Sequence, residues 1–300
     1  MLNIRAIATR PLVLALLAAP ACSPGMEAQA PEAAQPAPVS TTSHEPSTNS
    51  GPAVLDNSTA GVVQRHFKLF KEGDLEGLLA DYADSAFLLT AAGPVKGKDA
   101  LKAHFSALIE EFGKGASSMN LGDLRVRDDI AYITWSGDSA DNRYEIASDT
   151  FLIRNGKIVA HTFTGKVVSK GEEDEKDTAG EPAELPESPT SEVLKKHLAS
   201  YENSDFEALL ADYTIDSLIL TQKGKKSGKA GVKDVYEAIS AEFKKSNLKF
   251  EIKNMLVDGE VAYVVWNAKN GEKLIGFITE TLVVRSGKIA SQSVTLGMEG

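Results

Sequence analysis

A stretch of about 100 residues occurs twice in this 300-residue chain. Residues 62–164 align with residues 193–295 at a constant offset of 131 and without a gap. His66 falls on His197, Asp74 on Asp205, Tyr82 on Tyr213, Trp135 on Trp266 and Arg154 on Arg285. Roughly three positions in ten are identical, far above chance, and the period is much longer than the 20–50 residues of a solenoid repeat. The repeated unit is therefore a whole domain, long enough to bury its own core.

Both copies carry the same order of local signals. Val62, Val63, His66, Phe67 and Phe70 recur at helical spacing, as do Val193, Leu194, His197, Leu198 and Tyr201. Asp74 and Asp205 are placed to cap a second, short helix. A strand ending at Thr90 or Thr221 follows, and Gly97-Lys98 and Gly228-Lys229 open a third helix. Strands are expected at about 119–127, 129–137, 143–154 and 157–167, with counterparts in the second copy. Asn155-Gly156 and Ser286-Gly287 mark tight hairpins before the last strand. The expected fold class is α+β: two tandem cone-like domains, each with three helices packed on one curved antiparallel sheet.

Outside the repeats, Arg5 and Arg10 precede the apolar run Pro11–Ala19, which is too short to cross a bilayer. Ala19-Pro20-Ala21 fits a small-x-small cleavage site, and the only cysteine, Cys22, follows it. This resembles a bacterial lipoprotein signal, although Leu is usual where Ala19 stands; ordinary cleavage after Ala21 is the alternative. One cysteine cannot form an intramolecular disulfide. The expected organisation is a signal at 1–21, a Pro/Ser/Thr-rich tether at 22–55, domains at 56–168 and 190–300, and an acidic, Pro-rich linker at 169–189. A net charge of −10 argues against nucleic acid, whose phosphates need a basic face.

The segments Gly73–Thr90 and Ser204–Thr221, with the endings Arg154-Asn155-Gly156-Lys157-Ile158 and Arg285-Ser286-Gly287-Lys288-Ile289, resemble the SnoaL-like and ketosteroid-isomerase-like branch of the nuclear transport factor 2-like superfamily. The resemblance covers both repeats nearly end to end. It implies cones with an apolar cavity between helices and sheet, and it says little about chemistry, because that superfamily holds enzymes and binding domains alike. In ketosteroid isomerase a carboxylate base, a tyrosine and a protonated acid carry the reaction. The resemblance places the base on Thr90 and Thr221, which are no bases near neutral pH. It places the tyrosine on His66 and His197, and the acid on Asp149 and Glu280. Wall positions on the last strand fall on His161 and Gln292.

The residue pattern agrees in part. His66 lies on an apolar helix face, and Asp149 alternates with Phe151 and Ile153 while Thr150 and Leu152 point the other way. A histidine and an acid facing one core should find polar partners. Either a ligand-binding knot or a satisfied core cluster fits this pattern, and Asp149 and Glu280 could also face solvent. Tyr132-x-x-Trp135 and Tyr263-x-x-Trp266 read as core and wall. His66, His161 and Asp149 are metal-ligand types, yet none are close in sequence and the second copy carries Gln292, so no metal is expected. No phosphate loop, nucleophile elbow or Cys/His pair is present, and no cofactor is expected.

The expected protein is an exported, envelope-located module, periplasmic or outer, lipid-anchored at Cys22. It would take a small, partly apolar ligand or another envelope protein, without ketosteroid-isomerase-type proton transfer. Its contact with the membrane would be through the anchor alone. An enzyme using His66 and Asp149 is the rival reading. Both faces of the late strands are apolar, so the two sheets are expected to cover each other as an intramolecular pseudo-dimer. The first copy, where His66, Asp149 and His161 coexist, is expected to carry the ligand.

Overall fold

The structure, a computed structural model, describes residues 55–114, 117–171, 184–203 and 205–298. The signal, the tether, Cys22 and most of the acidic linker lie outside the described residues.

The first unit begins with helix α1 (Thr59–Glu72). Ser58 caps it by accepting from Gly61 N, and Gly73 ends it at φ 71°, a backbone conformation open to glycine. Its buried stripe is Val62, Val63, His66, Phe67 and Phe70. Asp74 caps α2 (Leu75–Ala80) as the sequence predicts, accepting from Gly77 N at 2.9 Å. Then follow β1 (Tyr82–Thr90), β2 (Gly93–Lys96), α3 (Gly97–Gly113), β3 (Ser118–Leu121), β4 (Arg125–Arg127), β5 (Ile130–Asp138), β6 (Asn142–Arg154) and β7 (Lys157–Ser169). Asn155 and Gly156, at φ 51° and 70°, make the turn from β6 into β7.

The second unit repeats this order: α4 (Pro189–Glu202), α5 (Phe206–Ala211), β8 (Tyr213–Thr221), β9 (Gly224–Ser227), α6 (Gly228–Ser246), β10 (Lys249–Asp258), β11 (Val261–Asn270), β12 (Lys273–Arg285) and β13 (Lys288–Met298). The sheets run β2-β1-β7-β6-β5-β3, with β4 also on β5, and β10-β11-β12-β13-β8-β9. The fold is thus α+β with two curved, largely antiparallel sheets. Three details differ from the sequence reading. A short strand, β2 or β9, hairpins onto the first strand of each sheet. The strand expected at 119–127 is broken: Gly122 still donates to Thr134 O of β5 at 2.7 Å, but the pairing then slips by one residue before Arg125 meets Tyr132, whereas β10 takes a register shift between Ile252 and Asn254 and remains one strand. And β1 pairs with β7, like β8 with β13, in parallel, since the chain returns to that edge only after a helix and the meander.

Strand alternation sorts side chains between two cores. Phe151 and Ile153 pack beneath α1 with Val62, Val63 and Phe67. Leu152, one residue over, joins Leu89, Tyr132, Leu220, Tyr263 and Val283 in a third cluster built from both sheets. Polar pairs within this layer obey the 131-residue offset. Thr150 shares a hydrogen bond with Ser293, and Thr162 with Thr281, both at 2.7 Å. At the rim Arg285 Nη2 meets Asp129 at 2.6 Å, while Arg154 meets Glu260. The two sheets therefore cover one another about a local pseudo-twofold axis.

Candidate functional site

Between α1, α3 and the concave face of the first sheet lies a cavity of about 140 Å³. His66, Phe105, Trp135, Asp149 and His161 form its buried floor. Leu108, Phe112, Met119, Phe163 and Val167, all partly exposed, form an apolar mouth, with His104 beside them.

On the floor a chain of hydrogen bonds joins four residues. The Tyr82 hydroxyl and His161 Nδ1 are 2.9 Å apart, and His161 Nε2 is 2.6 Å from Asp149 Oδ1. Trp135 Nε1 donates to Asp149 Oδ2 at 2.5 Å. Both oxygens of Asp149 and both nitrogens of His161 are thus engaged, and the imidazole stacks on Phe151 at 4.2 Å. Burial, followed by the field of Asp149, pushes the Tyr82 hydroxyl well above its usual pKa, so it stays a donor. Asp149 and Glu280, which the sequence left free to face solvent, are 5% and 3% exposed.

His66 differs from His161. It is 3% exposed, sits among the rings of Phe67, Phe105 and Phe151, and its Nδ1 has no hydrogen-bond partner. Burial, reinforced by His161, holds its pKa well below the usual histidine value, so the ring is neutral. A neutral imidazole with unused hydrogen-bonding capacity lines the cavity next to a saturated network. The pKa of His104 is also lowered, first by burial.

In the second unit the same positions collapse onto one another. Gln292 replaces His161: its Oε1 accepts from Tyr213, and its Nε2 donates to Glu280 Oε2 at 3.0 Å. Tyr236 stands where Phe105 does, and its hydroxyl lies 2.9 Å from His197 Nε2 and 2.6 Å from Gln292 Nε2. Tyr201 and Phe250, in place of Phe70 and Met119, meet Trp266 edge to face. Among the residues equivalent to the first mouth, Met119 becomes the larger Phe250 and Phe163 the smaller Val294.

Two expected pocket residues lie elsewhere. Thr90 and Thr221 share a sheet face with Leu88 and Ile219 but stand at the hairpin, and each donates its hydroxyl to a turn carbonyl, Gly93 O or Gly224 O. Thr90 is not among the residues that line the first cavity. Conversely, sequence reasoning passed over Tyr82, Trp135 as a carboxylate donor, His104 and the Phe105/Tyr236 pair. The signal for the last was available: Phe105 becomes Tyr236 where His161 becomes Gln292, two coupled polar changes between copies.

Among the described residues no group of His, Cys, Asp and Glu could hold a metal ion, and no helix is long and apolar enough to cross a membrane.

Residues 63–161, from α1 into β7, match the family model of the SnoaL-like domain. This segment carries His66, Asp149 and His161. No curated protein matches the chain. Solved structures of similar fold include SalBIII, described as an epoxide hydrolase/cyclase-like enzyme in pyran ring formation in salinomycin; it is 15% identical, with 37% of this chain and 94% of its own covered and a TM-score of 0.33. An NTF-2-like protein of unknown function from Burkholderia xenovorans is 16% identical, with 37% and 85% covered and a TM-score of 0.31. A protein from Kribbella flavida is 13% identical, with 38% and 88% covered and a TM-score of 0.32. These likenesses carry nothing about chemistry.

Proposed function

We propose that the first cone binds a small, mainly apolar molecule with one hydrogen-bonding group, and that the second cone is a filled copy that completes the packed pair. The observation that carries this reading is the open cavity floored by an unpartnered, neutral His66. Its volume is close to that of engineered apolar cavities, about 150 Å³, that admit a benzene ring. The apolar mouth suits a ligand with an aliphatic or aromatic body.

The rival reading, acid–base catalysis by His66 and Asp149, has less support. Asp149 already accepts two N–H donors, and His161 has no free nitrogen to move a proton. Catalysis there would first have to break buried hydrogen bonds. Calorimetric titration with toluene tests the binding reading. Heat of binding should appear in the wild type and vanish in Leu108→Trp, which fills the mouth. Equal behaviour of the two proteins, or no binding to either, would contradict it.

The N-terminal pattern supports an exported protein tethered through Cys22. Fractionation of cells making the Cys22→Ser variant should find the protein released from membranes; unchanged partitioning would overturn the anchor.

A further inference from the structure

The second cone contains a polar group that the first lacks, and its position defines a subsite. The Tyr236 hydroxyl sits among His197 Nε2 at 2.9 Å, Gln292 Nε2 at 2.6 Å and Glu280 Oε2 at 3.4 Å. The residues at the equivalent positions of the first cone are His66, His161 and Asp149, all buried and all on the cavity floor. Phe105, in place of Tyr236, has a ring 5.6 Å from that of His66, close to the 5.7 Å between Tyr236 and His197. The ring is retained and the hydroxyl is missing. Nδ1 of the helix histidine lacks a hydrogen-bond partner in both cones; His197 Nε2 meets the Tyr236 phenol, whereas no hydrogen bond reaches Nε2 of His66, whose ring lines the cavity.

We propose that the first cavity selects ligands bearing a neutral hydroxyl, an alcohol or phenol, seated against His66 as the Tyr236 hydroxyl is seated against His197. Three features favour that group over others. A hydroxyl both donates and accepts, so it can serve a neutral imidazole in either tautomer. A carboxylate would be desolvated beside the buried Asp149 with no cation to pair it. A purely apolar ligand would leave the imidazole unsatisfied. The body of the ligand would run from the floor toward Met119 and Phe163 at the mouth. This assignment rests on the binding reading above and specifies its ligand.

Phenol and toluene have nearly the same shape and separate the two ideas. Binding to the whole protein is followed by calorimetry. Phenol should bind at least tenfold more tightly than toluene. Phe105→Tyr, which supplies the hydroxyl from the protein, should remove most of that preference. His66→Leu should bring phenol down to the level of toluene. Benzoate should not compete at neutral pH. Equal affinity for phenol and toluene would overturn the hydroxyl subsite while leaving the cavity as a binding site. Failure of both to bind would overturn both. A full phenol preference in both Phe105→Tyr and His66→Leu would place the hydroxyl elsewhere and overturn the assignment. Thermal melting of each variant without ligand shows whether it is folded.

Discussion

His161 Nε2 lies 2.6 Å from Asp149 Oδ1, and 131 residues further on Gln292 Nε2 donates to Glu280 Oε2 at 3.0 Å. The amide clarifies the imidazole. In Gln292 the oxygen faces the tyrosine donor and the nitrogen faces the carboxylate, an arrangement assigned from the hydrogen-bond network. In the first cone His161 has the same placement, with Nε2 toward the Asp149 carboxylate and Nδ1 toward the Tyr82 hydroxyl. The duplicated chain has thus kept one hydrogen-bond pattern with two different side chains.

It follows that His161→Gln should be well tolerated, costing less than about 1.5 kcal/mol, while His161→Leu should cost about 3 kcal/mol or more. The leucine leaves a buried carboxylate with one donor fewer and a buried phenol without its acceptor. Urea unfolding of both variants at pH 7 checks the order. Equal losses would mean that the hydrogen bonds of His161 contribute little to its role.

The fold was legible where chemistry is local. Asp74 and Asp205 cap helices through their own side chains, and Asn155-Gly156 turns a hairpin through its own backbone. The sorting of Phe151 inward and Leu152 toward the other sheet followed from strand alternation alone. The site was legible only as a set of neighbours. That His66, Asp149 and His161 share a cavity could be expected; that Asp149 is claimed by Trp135 and His161 could not. Which tip meets which depends on side-chain length and sheet curvature, through contacts between β5, β6 and β7 that leave no local pattern. Thr90 shares the face of Leu88, and its hydroxyl closes the turn onto Gly93 O, a contact set by the hairpin that follows it.

Stability should fall in mild acid, and His66 should account for part of the fall. Its native pKa is held well below the ordinary value of 6.5, first by burial and then by His161. As pH drops through about 6.5 the unfolded chain takes up a proton at this position and the native chain does not. Stability is therefore lost as pH falls, by up to about 1.4 kcal/mol per pH unit for one such group. His104, shifted the same way, adds to the slope. In His66→Phe the pH dependence of the urea midpoint between pH 7 and 5 should flatten by roughly one proton's contribution. An unchanged slope would mean that His66 is protonated in the native protein.

The central claim is that one cone is open and the other filled. The chain has two tryptophans, one per cone: Trp135 on the cavity floor, with its indole N–H on Asp149, and Trp266, packed among Tyr201 and Phe250 with its N–H unpartnered. Their indole resonances in a nitrogen-15 spectrum report the two cones separately. Titration with toluene should shift the Trp135 signal in a saturable way and leave the Trp266 signal in place. A shift at Trp266 alone, or equal shifts at both, would contradict the account.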